Sequence, residues 1–288
     1  MNTAGTFSES WLAQRERADH DARAMAPLHA ASDWLATRGS HVPWQLLDLG
    51  SGSGANVRYL APRLPGPQHW YLVDHDASLL GHAVARCQPL CDNAGAPIHV
   101  TTQQRDLHAL ESSWFTGIDL VTASALCDLV SADWVEALAD ACAAQRAAAL
   151  ITLSVDGEIR FQANDVAVND AEDAWLFALL AAHQRRDKGL GPALGTTAPQ
   201  ALAEAFTARG FHLVDAPSPW HLTPAQCPLA LSLIDGWADA AREQAPHERQ
   251  RIERWWRHRR EALERGHLDL YVGHRDLFAA PGPAHASR

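Results

Sequence analysis

Residues 46–56 read LLDLGSGSGAN, the densest glycine run in the chain. Leu46, Leu47 and Leu49 spell a short buried strand interrupted by Asp48. Gly50, Gly52 and Gly54 then alternate with Ser51 and Ser53, and a helical pattern opens at Asn56. Glycine tolerates positive φ and lets a ligand come close to the backbone. A helix starting there offers unpaired N–H groups and the positive end of its dipole. The stretch is expected to be a strand–turn–helix binding site; a plain tight turn is the other use of so many glycines.

Outward from this turn, strand and helix patterns alternate. Residues 69–74 predict a second strand ending on Asp74, followed by a helix over 77–92. A carboxylate there can accept from the two hydroxyls of a ribose, whereas a helix N-cap near Asp76 is the plainer reading. A third strand is predicted at 98–102, with Asp106 and Leu107 just beyond it, and a fourth at 118–122. Residues 123–128 leave the carboxyl edge of that strand, where ligands collect in open α/β sheets, and Ser124 and Asp128 are its polar members. A helix at 131–145 and a strand at 150–154 complete the repeat, which argues a parallel sheet with helices on both faces. Asp156-Gly157 reads as a tight turn, with 158–162 extended after it, a helix over about 171–186 and a glycine-rich loop at 189–195.

At 288 residues, 47% hydrophobic and 20% charged, the composition is that of a globular chain with one large domain or two small ones. A formal net charge of −10 argues against a duplex or RNA partner, which needs a basic face. Cys87, Cys91, Cys127, Cys142 and Cys227 contain no zinc-type pair; Cys87 and Cys91, a helical turn apart, read as small buried residues. The N-terminus shows no secretory pattern and no apolar run is long enough to span a bilayer, so a reduced, cytoplasmic protein without a membrane partner is expected. Lys188 is the only lysine, which leaves little room for Schiff-base chemistry.

Residues 8–38 read as two helices split at Pro27, the second ended by Gly39. Arg15, Asp19 and Arg23 recur at helical spacing on one face. They suit a solvated, salt-bridged stripe, or a helix lying over a ligand mouth. A helix at 201–209 leads through Gly210-Phe211 into another strand, and 267–278 predicts a last one. Between these strands lie two predicted helices, about 223–243 and 246–265. The second mixes Arg249, Arg251, Arg254, Arg257, Arg259 and Arg260 with glutamates, Trp255 and Trp256. A salt-bridged helix with aromatic anchors, a substrate lid and a homodimer surface are its three readings.

The order acidic residue, one residue, then GxGxG, here Asp48-Leu49-Gly50-Ser51-Gly52-Ser53-Gly54, resembles motif I of the class I S-adenosylmethionine-dependent methyltransferases. The resemblance covers about 44–216 and 267–278, including the Gly-Phe strand and a last strand that would run antiparallel. It implies a Rossmann-like doubly wound α/β sheet, mostly parallel, with an N-terminal helical cap at 1–40 and a methyltransferase domain at 41–288 carrying a helical insertion at about 217–266. It implies S-adenosylmethionine as cofactor, bound by Asp48, Gly50, Ser51, Gly52, Gly54, Asn56, Asp74, His75, Asp106, Leu107 and Ser124, with Asp106 on the adenine amino group beside apolar Leu107. Gly50, Gly52 and Ala55 also satisfy the relaxed dinucleotide fingerprint, so an NAD-dependent oxidoreductase stays open, as does a non-catalytic protein of the same fold.

Methyl transfer from a sulfonium is an in-line displacement, so alignment and exclusion of water dominate and no metal is required. A small-molecule acceptor attacked at oxygen or nitrogen is expected. A base is needed only where the acceptor must lose a proton. Asp128, His183, Asp187 and His221 are candidates; His183 and Asp187 sit at i, i+4, so the carboxylate could orient the imidazole.

Overall fold

The computed structural model describes residues 9–38, 43–187 and 189–282; Gly39 and Lys188 lie outside them. In chain order the sheet is built from β1 (Trp44–Leu49), β2 (Gln68–Asp74), β3 (His99–Gln104), β4 (Leu120–Ser124), β5 (Ala148–Ala163), β6 (Val166–Ala167), β7 (Phe211–Pro217), β8 (Trp220–Leu222) and β9 (Asp269–Pro281). The helices are α1 (Glu9–Ala22), α2 (Met25–Thr37), α3 (Ala55–Leu60), α4 (Ala77–Cys87), α5 (Ala132–Gln145), α6 (Ala171–Gln184), α7 (Ala198–Ala208), α8 (Cys227–Gln244) and α9 (Arg249–Glu264).

The strand order is β3-β2-β1-β4-β5-β9-β7. β1 to β5 run parallel, whereas β9 is antiparallel to both of its neighbours, β5 and β7. A dinucleotide-binding sheet has a parallel sixth strand directly beside the fifth. Here β9 is slotted between them, which matches the antiparallel last strand expected.

Consecutive leucines of β1 face opposite ways, and both faces are covered. Leu46, with Trp70, Leu72 and Leu120, packs against α2, α3 and α4. Leu47 and Leu49, with Val73 and Val121, pack against α5, α7 and the turn Ser112–Phe115. A strand buried on both sides is why residues 46–49 are so apolar. Leu28, Ala31 and Leu35 of α2 belong to the first of these cores.

The sequence reading is corrected at β5. Instead of ending before a turn at Asp156-Gly157, the strand runs on to Ala163, and β9 pairs with it almost throughout. The extra residues are absorbed as bulges, with register shifts between Ile151 and Ser154 and between Val155 and Ile159. The far halves of β5 and β9, with the unforeseen short strand β8, form a second lobe. Its core joins Phe161, Leu270 and Val272 to α1, α6, α8 and α9.

Two helices are also shorter than read. α4 stops at Cys87, two residues before Pro89, so Cys91 is not on the helix. α6 stops at Gln184, so Asp187 is not on it.

α9 is anchored inward. Trp255 and Arg259 are buried, and Arg259 grips Asp173 of α6 bidentately through Nε and Nη2. Trp255 Nε1 donates to the same carboxylate at 2.7 Å. Arg251 pairs with Glu172, and Arg260 with Asp235 of α8. Of the three readings of this helix, the salt-bridged one with aromatic anchors describes these contacts.

Candidate active site

Beyond the carboxyl ends of β1, β2, β4 and β5 lie the glycine turn, Asp74 and the segment after β4. At the turn after β1, Gly50, Gly52 and Gly54 have φ of +65°, +50° and +81°. The N–H groups of Ser51 and Gly54 donate to Val73 O (3.0 Å) and Ser51 O (2.8 Å), and that of Gly52 to Asp74 Oδ2 (2.8 Å). The turn thus directs these three donors back into the protein. A Cβ on Gly54 would stand 2.7 Å from Cys87 Sγ, so only glycine lets α3 lie this close to α4. Burial pushes the Cys87 thiol up to about 11, an inert packing role.

Asp74 takes a second bond on Oδ1, from Asp76 N–H at 3.0 Å, and Asp76 rather than Asp74 caps α4. Each Asp74 oxygen keeps a further lone pair. His75 Nδ1 lies 3.3 Å from Asp74 Oδ1. Asp106 is exposed and accepts from His108 N–H at 2.9 Å, while Leu107 is buried beside Gly50.

Under the turn lies a buried polar network. Asp48 Oδ1 accepts from Asn56 Nδ2 (2.7 Å) and Thr122 Oγ1 (2.6 Å); Oδ2 is buried without a hydrogen-bond partner. Burial pushes the Asp48 carboxyl up to about 6, outweighing the hydrogen bonds from Thr122 and Asn56 and the field of Arg23. The folded state therefore keeps its proton at a pH where the unfolded chain has released it. This contribution is greatest at low pH and is lost as pH rises through about 6. Between pH 5 and 7.5 the wild type should lose about 1.4 kcal/mol of stability relative to Asp48→Asn, one pKa unit's worth. Denaturant titrations of both proteins at the two pH values check this, and an unchanged difference would contradict it.

Arg23, one of the two arginines of the stripe that could lie over a ligand mouth, completes the network. α1 ends at Ala22, so Arg23 leaves the helical stripe and turns inward at 8% exposure. It donates to Ser124 Oγ (2.9 Å), Thr152 Oγ1 (2.5 Å) and Asn56 Oδ1. Burial lowers its pKa, and Asp276, Asp19 and Asp48 oppose that. Arg15 and Asp19, by contrast, pair with each other at 2.9 Å, and Asp19 accepts from Trp220 Nε1. α1 roofs the turn: Leu12 Cδ1 lies 3.5 Å from where a Gly52 Cβ would be, and Glu16 pairs with Arg58 of α3.

On the far side, loop 189–195 runs along the segment after β4, and Gly195 N–H donates to the carbonyl of partly exposed Asp128 at 3.0 Å. The end of α6 packs on Gly195 through Gln184. His183 Nδ1 lies 3.9 Å from Glu243 Oε2 of α8, while Asp187 Oδ1 accepts from Gly189 N–H in a local turn. The expected His183–Asp187 pair is thus replaced by His183–Glu243, because α6 ends before Asp187. His221 is the one exposed residue of β8, 3.3 Å from Asp269. Among the described residues no group of three or more His, Cys, Asp or Glu could hold a metal ion, and no helix is long and apolar enough to cross a membrane.

Residues 46–147, from β1 through α5, match the family model of a methyltransferase domain. The matched residues form a methyltransferase domain. No curated protein gives a significant sequence match. Among solved structures, the chain is similar to a cyclopropane-fatty-acyl-phospholipid synthase-like protein from Lactobacillus casei (15% identity, 95% of this chain and 94% of that one, TM-score 0.49). It is also similar to the cyclopropane synthase MmaA2 from Mycobacterium tuberculosis (13% identity, 88% and 83%, TM-score 0.44). A third is phosphoethanolamine N-methyltransferase 2 from Haemonchus contortus (14% identity, 89% and 52%, TM-score 0.42). At TM-scores this low, these likenesses assign no substrate and no site residue.

Proposed function

We propose that the methyltransferase transfers a methyl group to an oxygen or nitrogen of a small-molecule acceptor. The observation that carries the reading is one arrangement: a glycine turn without side chains at three alternate positions, flanked by Asp74 and by Asp106-Leu107, with Asp48 Oδ2 buried and unpartnered beneath it. These features fit S-adenosylmethionine as cofactor. Asp74 would take the ribose hydroxyls, Asp106 and Leu107 the adenine, and the Gly50–Gly54 turn, with Ser51, the methionine end. Asn56 and Ser124, spent on Asp48 and Arg23, orient the floor. When bound, S-adenosylmethionine supplies an activated methyl on a positively charged sulfur. The protein's part is then to hold both reactants in line and exclude water, which the roof of α1 favours.

Asp128 and loop 189–195 form the acceptor side of this reading. His183, with Glu243 beside it, is the assigned proton acceptor for substrates that lose a proton; Asp187 supports the loop rather than the imidazole. The net charge of −10 disfavours a nucleic-acid acceptor.

Calorimetric titration with S-adenosylhomocysteine, with NAD in parallel, tests the reading. Micromolar binding of the first and none of the second is expected. Asp74→Ala should weaken S-adenosylhomocysteine binding by about 1.5–3 kcal/mol, the scale of hydrogen bonds to a charged group. Unchanged affinity in the folded variant would remove Asp74 from the site, and binding of NAD alone would reverse the functional assignment.

A further inference from the structure

Three segments distant in sequence meet beyond the carboxyl ends of β3 and β4. The first is the turn after β3. There Asp106 Oδ1 accepts from His108 N–H, and the Leu107 carbonyl accepts from Trp134 Nε1 of α5 at 2.7 Å. The second is the stretch after β4, and the third is loop 189–195. The loop is laid on the second segment by backbone bonds: Ser131 N–H to Leu190 O (3.2 Å), Leu194 N–H to Val130 O (2.8 Å) and Gly195 N–H to Asp128 O (3.0 Å). Gly191 lies so close that a Cβ there would stand 2.9 Å from Ser131 Cβ. One side-chain bond closes the triangle: His108 Nδ1 reaches the carbonyl of Gly189 at 2.5 Å. A carbonyl only accepts, so this bond requires the proton on Nδ1.

We propose that His108 is a positioning residue that clasps the acceptor-side loop to the adenine-side turn, so that binding the adenosine end of the cofactor closes the acceptor wall. The proposal rests on the assignment of Asp106 and Leu107 to the adenine. A base seated on Leu107 and bonded to Asp106 stiffens the turn that carries His108. A stiffer turn keeps the His108–Gly189 bond made for a larger fraction of the time. The coupling is reciprocal, so a closed loop also holds the cofactor more tightly. The consequence is an order of assembly, cofactor before acceptor, built from a single exposed hydrogen bond whose net strength allows up to about a tenfold change in loop opening.

Lys188, the chain's only lysine, immediately precedes Gly189, so endoproteinase Lys-C has one cleavage site in the whole chain. Saturating S-adenosylhomocysteine should slow this cleavage of the wild type by about tenfold, since cleavage follows the open population. In His108→Ala the ligand should slow it less than about twofold, a residual set by the backbone bonds alone, and by reciprocity calorimetric affinity should fall about fivefold. His108→Asn keeps an N–H near the position of Nδ1 and should restore most of the protection. Equal protection in wild type and His108→Ala would overturn the clasp and leave the cofactor assignment standing. So would unprotected cleavage of a wild type that takes up the ligand, a comparison that needs no variant. Absence of any heat from S-adenosylhomocysteine with the wild type would instead remove the cofactor assignment and the clasp together.

Discussion

Replacing Arg259 by leucine should cost about 3–5 kcal/mol of stability, the range for breaking a buried ion pair by removing one partner. Asp173 is 0% exposed and Arg259 4%. Asp173 Oδ1 accepts from Arg259 Nε (2.9 Å) and Trp255 Nε1 (2.7 Å), and Oδ2 from Arg259 Nη2 and Asp170 N–H. Without the guanidinium the carboxylate would keep two neutral donors and no compensating charge. It would then have to take up a proton or draw water into the second lobe. The melting temperature should fall on the order of 10 °C, and added salt should not reproduce the effect, since a buried pair is weakly screened. Adding Asp173→Asn to Arg259→Leu should recover part of the loss by removing the stranded charge. A contrast lies one helical face away: Arg251 pairs with Glu172 in solvent, and Arg251→Ala should leave the melting temperature nearly unchanged. A loss below about 1 kcal/mol in Arg259→Leu would mean that the second lobe is held by packing alone.

Acid should destabilise the protein through His274. This side chain is 4% exposed, beside the Trp220 ring and with Nδ1 on the Val272 carbonyl at 3.0 Å. Burial, and then the positive charge of Arg15, push its pKa down to about 3. Below its ordinary value near 6.5 the unfolded chain takes up a proton that the folded protein refuses. The contribution is therefore complete above pH 6.5 and is lost as pH falls toward 3, at about 1.4 kcal/mol per pH unit. From pH 6.5 to 5 the cost is about 2 kcal/mol, and the melting temperature should drop on the order of 5 °C. Asp48 works in the opposite direction over part of this range. The test is accordingly the difference between wild type and His274→Gln at each pH, which should narrow as the pH falls. A parallel pH dependence in both proteins would show that His274 does not carry the acid sensitivity.

The parts of the fold legible in the sequence are those set by short stretches. The run of leucines before the glycine turn, and the acidic residue at the end of the next strand, are local patterns, and the structure has both where they were read. The Gly-Phe entry to β7 and the apolar run of β9 were legible for the same reason. What was not legible depends on partners far along the chain. Asp156-Gly157 has turn chemistry and Gly157 keeps a φ of +90°, yet β9 pairs with β5 on both sides of it, so the non-local ladder holds the turn as a bulge rather than a strand end. Arg23 looked like the third member of a helical stripe, but its hydrogen-bond partners Asn56, Ser124 and Thr152 belong to three other elements. His183 has Glu243 beside it, from a helix whose docking no periodicity reveals. Asp173 and Arg259 were ordinary charges on two helices until the fold buried them together.

The position of β9 also bears on how the chain is made. A ribosome that has translated as far as Leu268 has already released β5 and β7, the two strands that β9 must separate. Until residues 269–281 follow, both present open backbone edges, and the core of the second lobe lacks Leu270 and Val272. Direct pairing of β5 with β7 is then a ready wrong turn, and the hydrophobic surface left uncovered invites association with other chains. Nascent chains stalled before β9 should therefore be the form that chaperones hold, with completion of both lobes deferred to the moment this strand is inserted.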